Sequence, residues 1–253
     1  MNKLAFITGA TSGIGLATAK ALAENGYDLA LAARSEEKLY AIKNSFEKDY
    51  GVKVTPYPLD VRDRDAVQNT AGRCLSETGT PDVLVNDAGL ARGLEPYSSN
   101  DVDDIIQTID TNIKGLFLVT RAFLPAMLKR NTGHIINLGS TAGLYAYAGA
   151  AVYCSTKAAV KTFSDGIRIE VIVIIQSTST SLQRAFYGIH NPVCMSFIVT
   201  VLVLAAQQII IGAGTAGARC VCAGDSILIA SSRIMQDSGC VTGTDIIEHS
   251  CIR

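Results

Sequence analysis

Tyr153 and Lys157 stand four residues apart, so on a helix they are neighbours on one face. An isolated tyrosine titrates near pH ~10 and is a poor base at neutrality, but an ammonium beside it favours the phenolate. Such a pair can give and take the proton of an alcohol/ketone couple. Y-x-x-x-K alone is common by chance and most often a surface pair. Ser140, thirteen residues earlier, could hydrogen-bond a substrate oxygen or could simply cap a turn. Asn112 falls inside a long helical stretch, where asparagine is a poor helix former. It reads either as a solvated polar residue or as a holder of an active-site water.

A second constellation lies at the N-terminus. Thr8-Gly9 is followed by Gly13 and Gly15, between an apolar run and a helical pattern. Glycines let backbone N–H groups approach a phosphate, and a helix N-terminus favours the anion. In that position the loop reads as a dinucleotide site rather than an ordinary turn. Arg34 and Ser35 follow the second strand, where an adenosine ribose should lie. An acid there would favour NAD; the chain has Arg34 instead, which suits a 2′-phosphate and so NADP over NAD.

These residues need a scaffold, and the alternation of patterns supplies one. Apolar runs at 4–8, 28–33, 52–60, 82–86 and 134–140 read as strands. Helical patterns lie between them: the stretch after the glycine loop, stopped at Asn25-Gly26, the one capped by Ser35, then about 63–78, about 100–128, and 152–171. Strands alternating with helices imply right-handed βαβ units. The expected fold is α/β, a Rossmann-like doubly wound parallel sheet with C-terminal strands incomplete or altered. Each polar motif sits just past a strand or on the next helix, where such sheets bind ligands.

Residues 1–171 resemble the short-chain dehydrogenase/reductase family. The resemblance is carried by TGATSGIG (8–15), Asp60-Val61, NDAG (86–89), Asn112, Ser140, Tyr153 and Lys157, in family order and spacing. It implies an NAD(P)-dependent alcohol/carbonyl oxidoreductase with a small hydroxy or carbonyl substrate. By that resemblance Tyr153 is the general acid/base, Lys157 binds the nicotinamide ribose and assists Tyr153, Ser140 orients the carbonyl, and Asn112 supports a proton-relay water. Gly9, Thr11, Ser12, Gly13, Ile14 and Gly15 would hold the pyrophosphate, with Arg34 and Ser35 at the ribose. Asp60 and Val61 would meet adenine, and Asn86, Ala88 and Gly89 would line the cofactor. The stretches 86–96 and 139–160 are similar to a narrower group, NADP-dependent 3-hydroxy acid dehydrogenases with serine-like or 3-hydroxypropionate-like substrates. Members of the family are commonly dimers or tetramers, which implies self-association. One departure is Asp87, where the family usually has asparagine; a carboxylate buried there needs a partner.

The 253-residue chain changes character near residue 171. Residues 1–171 hold 18 Lys/Arg and 19 Asp/Glu, against 4 and 4 in residues 172–253. No Asp, Glu, Lys or Arg lies between Ala185 and Ala218, and five of the seven cysteines follow residue 171. The resemblance stops there too, since the chain has no Pro-Gly loop. The expected division is therefore a dinucleotide-binding and catalytic core, 1–171, and an atypical segment, 172–253, either divergent or foreign through a shifted reading frame. If that segment leaves no substrate pocket, the alternative is a cofactor-binding but inactive protein.

Within the segment, 170–181 could be a sixth strand and turn, with Thr178 or Thr180 near the nicotinamide. Residues 193–212 approach membrane-span length but are interrupted by Gln207 and Gln208. Gly212, Gly214 and Gly217 spell a second G-x-G-x-x-G, yet too little chain follows for another βαβ unit; at most IIIGAG (209–214) is a last strand and its turn. Cys220, Cys222, His249 and Cys251 match no common zinc spacing, so no metal is expected. Net charge is −1 with no Lys/Arg block, so no nucleic-acid partner is expected. The scattered cysteines and the lack of a secretory signal at the N-terminus suit a reducing cytoplasm.

Overall fold

The computed structural model describes residues 2–178 and 197–202, all within the compact unit Met1–Ile210. Its strands are β1 (Leu4–Thr8), β2 (Asp28–Ala33), β3 (Val54–Pro58), β4 (Val83–Asn86), β5 (Gly133–Leu138) and β6 (Phe197–Leu202). The helices are α1 (Gly13–Glu24), α2 (Glu36–Tyr50), α3 (Arg64–Glu77), α4 (Val102–Ile109), α5 (Leu116–Arg130) and α6 (Ala151–Thr178). The sheet order is β3-β2-β1-β4-β5-β6, and every neighbouring pair is parallel. The chain winds outward from β1 through β2 to β3, then crosses back to β4. The expected doubly wound sheet is therefore present, and its crevice opens between β1 and β4.

Strand periodicity explains how both faces are covered. Along β1, Leu4 and Phe6 face one core, and Ala5 and Ile7 the other. Along β2, Ala30 and Ala32 join the first core, and Leu29 and Leu31 the second. The first core takes Val67, Ala71 and Cys74 from α3 and Val119, Phe123 and Met127 from α5. The second takes Ala19 and Ala23 from α1 and Leu39 and Phe46 from α2. With both faces buried, these strands read as apolar runs rather than alternating ones.

Local signals set the helix ends. Ser35 accepts a hydrogen bond from Lys38 N at the start of α2. Asp63 accepts from Asp65 N and Ala66 N at the start of α3. Gly51 closes α2 in the left-handed conformation, φ 68°.

Two expectations need correction. The long helix about 100–128 is not uniform: α4 and α5 are joined by a π-helical segment, Asp110–Gly115. The apolar period survives an extra residue in one turn, so periodicity alone does not reveal it. The strand expected from residue 170 is helix instead, since α6 runs unbroken past residue 171 to Thr178. A helix already formed gains one hydrogen bond per added residue, which outweighs the weak preference of β-branched residues for strands. The sixth strand lies at Phe197–Leu202, inside the stretch that approached membrane-span length. Among the described residues no helix is long and apolar enough to cross a membrane. Thr180, the glycines at 212, 214 and 217, and the cysteines at 220, 222 and 251 lie outside the described residues, as does His249.

Phe123 anchors the first core, with its ring centroid 4.4 Å from that of Phe6. Phe123→Ala is expected to cost about 3–5 kcal/mol of stability by urea denaturation. A loss below about 1 kcal/mol would show that the α5 face does not carry the packing assigned to it.

Candidate functional site

The carboxyl ends of β1 to β5 border a cleft of about 620 Å³. One side is the loop between β1 and α1. Gly9 (φ 69°) and Gly13 (φ 55°) both need the left-handed conformation that glycine adopts freely. A Cβ on Gly9 would lie 2.9 Å from Ala88 N, so the loop presses against the chain leaving β4. A Cβ on Gly13 would meet nothing within 4 Å. Ser12 makes no side-chain cap at the start of α1. Thr11, Ser12, Gly13 and Ile14 line the cleft, and the positive end of α1 opens into it. Gly15 does not line it; its backbone is packed under Asp87 and Gly9.

The crevice between β1 and β4 is held by one hydroxyl. Thr8 Oγ1 donates to Val85 O (3.3 Å) and accepts from Asp87 N and Ala88 N (both 3.1 Å). Ala88 and Gly89 follow as part of the cleft wall. Asn86 does not reach the cleft. It is buried, and its Nδ2 donates to Thr120 Oγ1 (2.9 Å) and Asn137 Oδ1 (2.8 Å).

The opposite end of the cleft is cationic. Arg34 and Ser35 line it, together with Lys38 from the first turn of α2. Asp60 and Val61 border the same end from the segment after β3. Asp60 is paired with Arg62, Nη2 to Oδ2 at 2.5 Å, and accepts Arg62 N at 3.0 Å. These hydrogen bonds, against a smaller desolvation penalty, hold the Asp60 carboxyl below its ordinary value. Lys38 and Arg62 were missed in the sequence. The signal for Lys38 was its place three residues after the cap Ser35; Arg62 had none beyond adjacency to Asp60-Val61.

The third side carries Ser140, Tyr153 and Lys157. Ser140 follows β5 and caps a short 3-10 turn, Thr141–Gly143, accepting Ala142 N at 3.1 Å. It is thus a turn-capping serine and a cleft residue at once. Tyr153 sits in the first turn of α6 and Lys157 in the next. The Lys157 ammonium lies 5.8 Å from the Tyr153 ring centroid and donates to Leu138 O at 2.8 Å. Only 8% of Lys157 is exposed. Burial pushes its pKa down, opposed by the negative charge of Asp87.

Asn112 lies in the π-helical segment and is buried behind the cleft wall. Its Oδ1 accepts Leu90 N (2.9 Å), while Nδ2 donates to Leu90 O (2.8 Å) and Thr156 Oγ1 (3.1 Å). The side chain therefore clamps the loop after β4 to α6. A parallel clamp runs from Asn137 Nδ2 to Ser164 Oγ (2.8 Å) and on to Val160 O (2.7 Å). Thr120, Asn137, Thr156 and Ser164 were missed in the sequence, and Thr8 was named only as the first residue of the glycine-loop motif. Their only signal was polarity at positions that the periodicity assigns to the interior.

Asp87 needs a partner, as the sequence implied, and finds an incomplete one. Its carboxylate accepts from the Gly15 N–H, and Lys157 attracts it from across the cleft, but burial dominates and pushes its pKa up to about 7. Among the described residues no three His, Cys, Asp or Glu side chains cluster to hold a metal.

The short chain dehydrogenase family profile matches residues 3–175. An NADP-dependent 3-hydroxy acid dehydrogenase of Salmonella typhi is 45% identical over 168 residues, 66% of this chain and 66% of that protein. An enzyme of the same description from Schizosaccharomyces pombe is 40% identical over 171 residues, 67% of this chain and 66% of that one. Among solved structures, serine dehydrogenase from Escherichia coli is 41% identical with a TM-score of 0.61, covering 66% of this chain and 76% of that one. The closed form of serine dehydrogenase complexed with NADP+ is 40% identical, with a TM-score of 0.62 and 66% of each chain covered. The chain thus spans about two thirds of the length of the curated relatives it matches.

The raised pKa of Asp87 has a consequence for stability. An unfolded aspartate titrates near ~3.9, so the native state holds the extra proton between about pH 4 and 7. Stability therefore falls as pH rises through that window, by on the order of 3 kcal/mol from this group. Urea denaturation of the nucleotide-free protein at pH 5 and pH 8 should show this loss, and Asp87→Asn should reduce it by about that amount. Equal losses in both proteins would remove the assignment.

Proposed function

The chain belongs to the short chain dehydrogenase family, and on that premise we propose that it is an NADP-dependent oxidoreductase acting on a small hydroxy or carbonyl substrate, a 3-hydroxy acid by likeness to its relatives. The observation that carries the reading is a single cleft. It joins the glycine loop, the cationic corner of Arg34 and Lys38, and the group Ser140, Tyr153 and Lys157.

The residues present fit the dinucleotide. Gly9 and Gly13 keep the loop free of side chains, and the uncapped start of α1 offers N–H donors to a pyrophosphate. Arg34, Ser35 and Lys38 offer donors at the other end, where a 2′-phosphate needs charge-assisted partners. Asp60 and Val61 border the adenine side, and Ala88 and Gly89 leave room along the wall. The bound nicotinamide supplies or accepts the hydride. Tyr153 gives its phenolic proton to the substrate oxygen in reduction and takes it back in oxidation. Ser140 Oγ accepts Ala142 N, which leaves its O–H to orient that oxygen. Lys157 is held by Leu138 O and faces Tyr153 with the charge that favours phenolate. Asn112 and Asn86 act from behind the wall: the first fixes the loop after β4 against α6, and the second joins β4 to β5 and α5.

In this reading residues 1–171 carry every cofactor-binding and catalytic group; the composition turns atypical after residue 171, while α6 continues to Thr178 and β6 pairs with β5. A catalytically silent nucleotide binder has no observation in its favour, since the cleft keeps Ser140, Tyr153 and Lys157. The enzyme is read as cytoplasmic, on its buried free thiols Cys74 and Cys154, and as self-associating. Exposed Val102, Ile106, Ile109 and Phe117 recur along one side of α4 and α5, which suits burial against a second copy.

Tyr153→Phe is expected to lower kcat by about 10²–10⁴-fold while leaving NADPH binding, followed by nucleotide fluorescence, within about twofold. Retained turnover would remove Tyr153 from the proton transfer. Arg34→Ala is expected to weaken NADPH by about 10- to 100-fold and NADH by less than about twofold. Equal effects on the two nucleotides would overturn the 2′-phosphate assignment.

A further inference from the structure

Asp87 stands where an anion is least welcome in a nucleotide cleft. The chain leaves β4 at Asn86, and Thr8 Oγ1 fixes the next two backbone N–H groups. This turn aims the Asp87 side chain across the crevice at the start of α1. Its Oδ2 lies only 2.5 Å from where a Cβ of Gly15 would stand, so the carboxylate rests on the first turn of that helix. It accepts the Gly15 N–H, part of the same electropositive helix end that faces the cleft. Asp87 also lines the cleft, beside Gly9 and Gly13.

We propose that Asp87 couples cofactor capture to proton uptake: the cleft receives its anionic dinucleotide with Asp87 neutral and resists it when the carboxylate is charged. This rests on reading the cleft as a dinucleotide site. The groups facing Asp87 show why its charge is poorly answered. From β1 comes the uncharged Thr8 hydroxyl, which is spent on backbone. From α1 comes a single N–H. From α6 comes the Lys157 ammonium, whose hydrogen bond goes to Leu138 O. Among the described residues Asp87 forms no ion pair, and Arg34, Lys38, Asp60 and Arg62 belong to the opposite end of the cleft.

Two states of Asp87 are therefore accessible near neutrality, where burial has pushed its pKa up to about 7. In the charged state its carboxylate already occupies part of the positive field of α1, and it repels any phosphate brought beside it. In the neutral state that repulsion is gone, and the carboxylic acid can donate a hydrogen bond. Coupling between two bound species is reciprocal, so a dinucleotide that binds better to the neutral state must raise the affinity of Asp87 for its proton. The step is a proton transfer alone: an O–H bond forms on a carboxylate oxygen of Asp87 as the hydronium or buffer acid that supplies the proton gives it up, and no oxidation state changes.

The test is titration of the nucleotide-free protein with NADH and NADPH between pH 6.5 and 8.5, in wild type and Asp87→Asn. NADH is included because it lacks the 2′-phosphate, whose own titration would overlap the window. The wild-type Kd for NADH is expected to rise about 10- to 30-fold across this range, and that of the variant less than about threefold. Calorimetry at pH 7.5 in two buffers of different ionisation enthalpy should count a net proton taken up by wild type and much less by the variant. Parallel pH profiles in the two proteins would overturn the coupling. So would a zero proton count in wild type, a readout that stands even should the variant fail to fold. If neither protein binds either nucleotide at any pH, the cleft's assignment fails and the coupling falls with it. Binding without pH dependence leaves the cleft's assignment intact and rejects the role of Asp87 alone.

Discussion

Buried side-chain hydrogen bonds at the carboxyl edge of the sheet hold this molecule's cleft in shape. Thr8, Asn86 and Asn137 stand in one row, since Thr8 pairs with Asn86 in the register of β1 and β4, and Asn86 with Asn137 in that of β4 and β5. From that row Asn86 reaches α5 through Thr120, and Asn137 reaches α6 through Ser164. Each member would cost free energy if buried without partners, so the row favours one arrangement of strands and helices. Tyr153 and Lys157 ride on α6, and their position over the cleft follows from that arrangement.

The π-helical segment between α4 and α5 belongs to the same constraint. It places Asn112 where its amide can bind both the loop after β4 and Thr156 on α6. It also brings Gly115 so near the end of β3 that a Cβ there would lie 2.6 Å from Val61 Cγ2. Departures from regular helix geometry occur often at functional sites because they re-aim a side chain without moving the helix. Here the side chain that is re-aimed supports the wall rather than facing the cavity. On the same loop after β4, Asp87 stands out among its neighbours: it is half-buried, acidic and only partly answered. That imbalance makes the crevice between β1 and β4 sensitive to protons as well as to phosphate.

Much of the fold was legible in sequence because buried parallel strands and amphipathic helices carry different periods. The first five strands, the helix cap at Ser35 and the start of the helix near residue 63 lie close to where apolar runs and helical patterns put them. Misreadings arose where two structures share one composition. Residues 171–175 are all β-branched, which suits a strand, but they continue a helix already begun. The apolar stretch around Phe197–Leu202, which approached span length without being read as a span, forms a strand beside β5.

What the sequence determined by itself was the identity and order of the chemistry: a glycine loop, an arginine after the second strand, and a serine, tyrosine and lysine in spacing that only a βαβ scaffold converts into one site. Residue type and chain distance suffice for this, because strand ends and helix turns have fixed reach. Tertiary structure alone decided which polar residues face the cleft and which brace it. Asn86 and Asn112 read as site residues, but the Asn86 Nδ2 and both ends of the Asn112 amide bind protein partners behind the wall. Lys38 and Arg62 carried no assignment in the sequence, and they border the cavity. Asp87 differs from asparagine by one atom in sequence, and its meaning comes from burial against the start of α1. Burial, partner geometry and desolvation arise only when distant segments meet, and no local pattern encodes them.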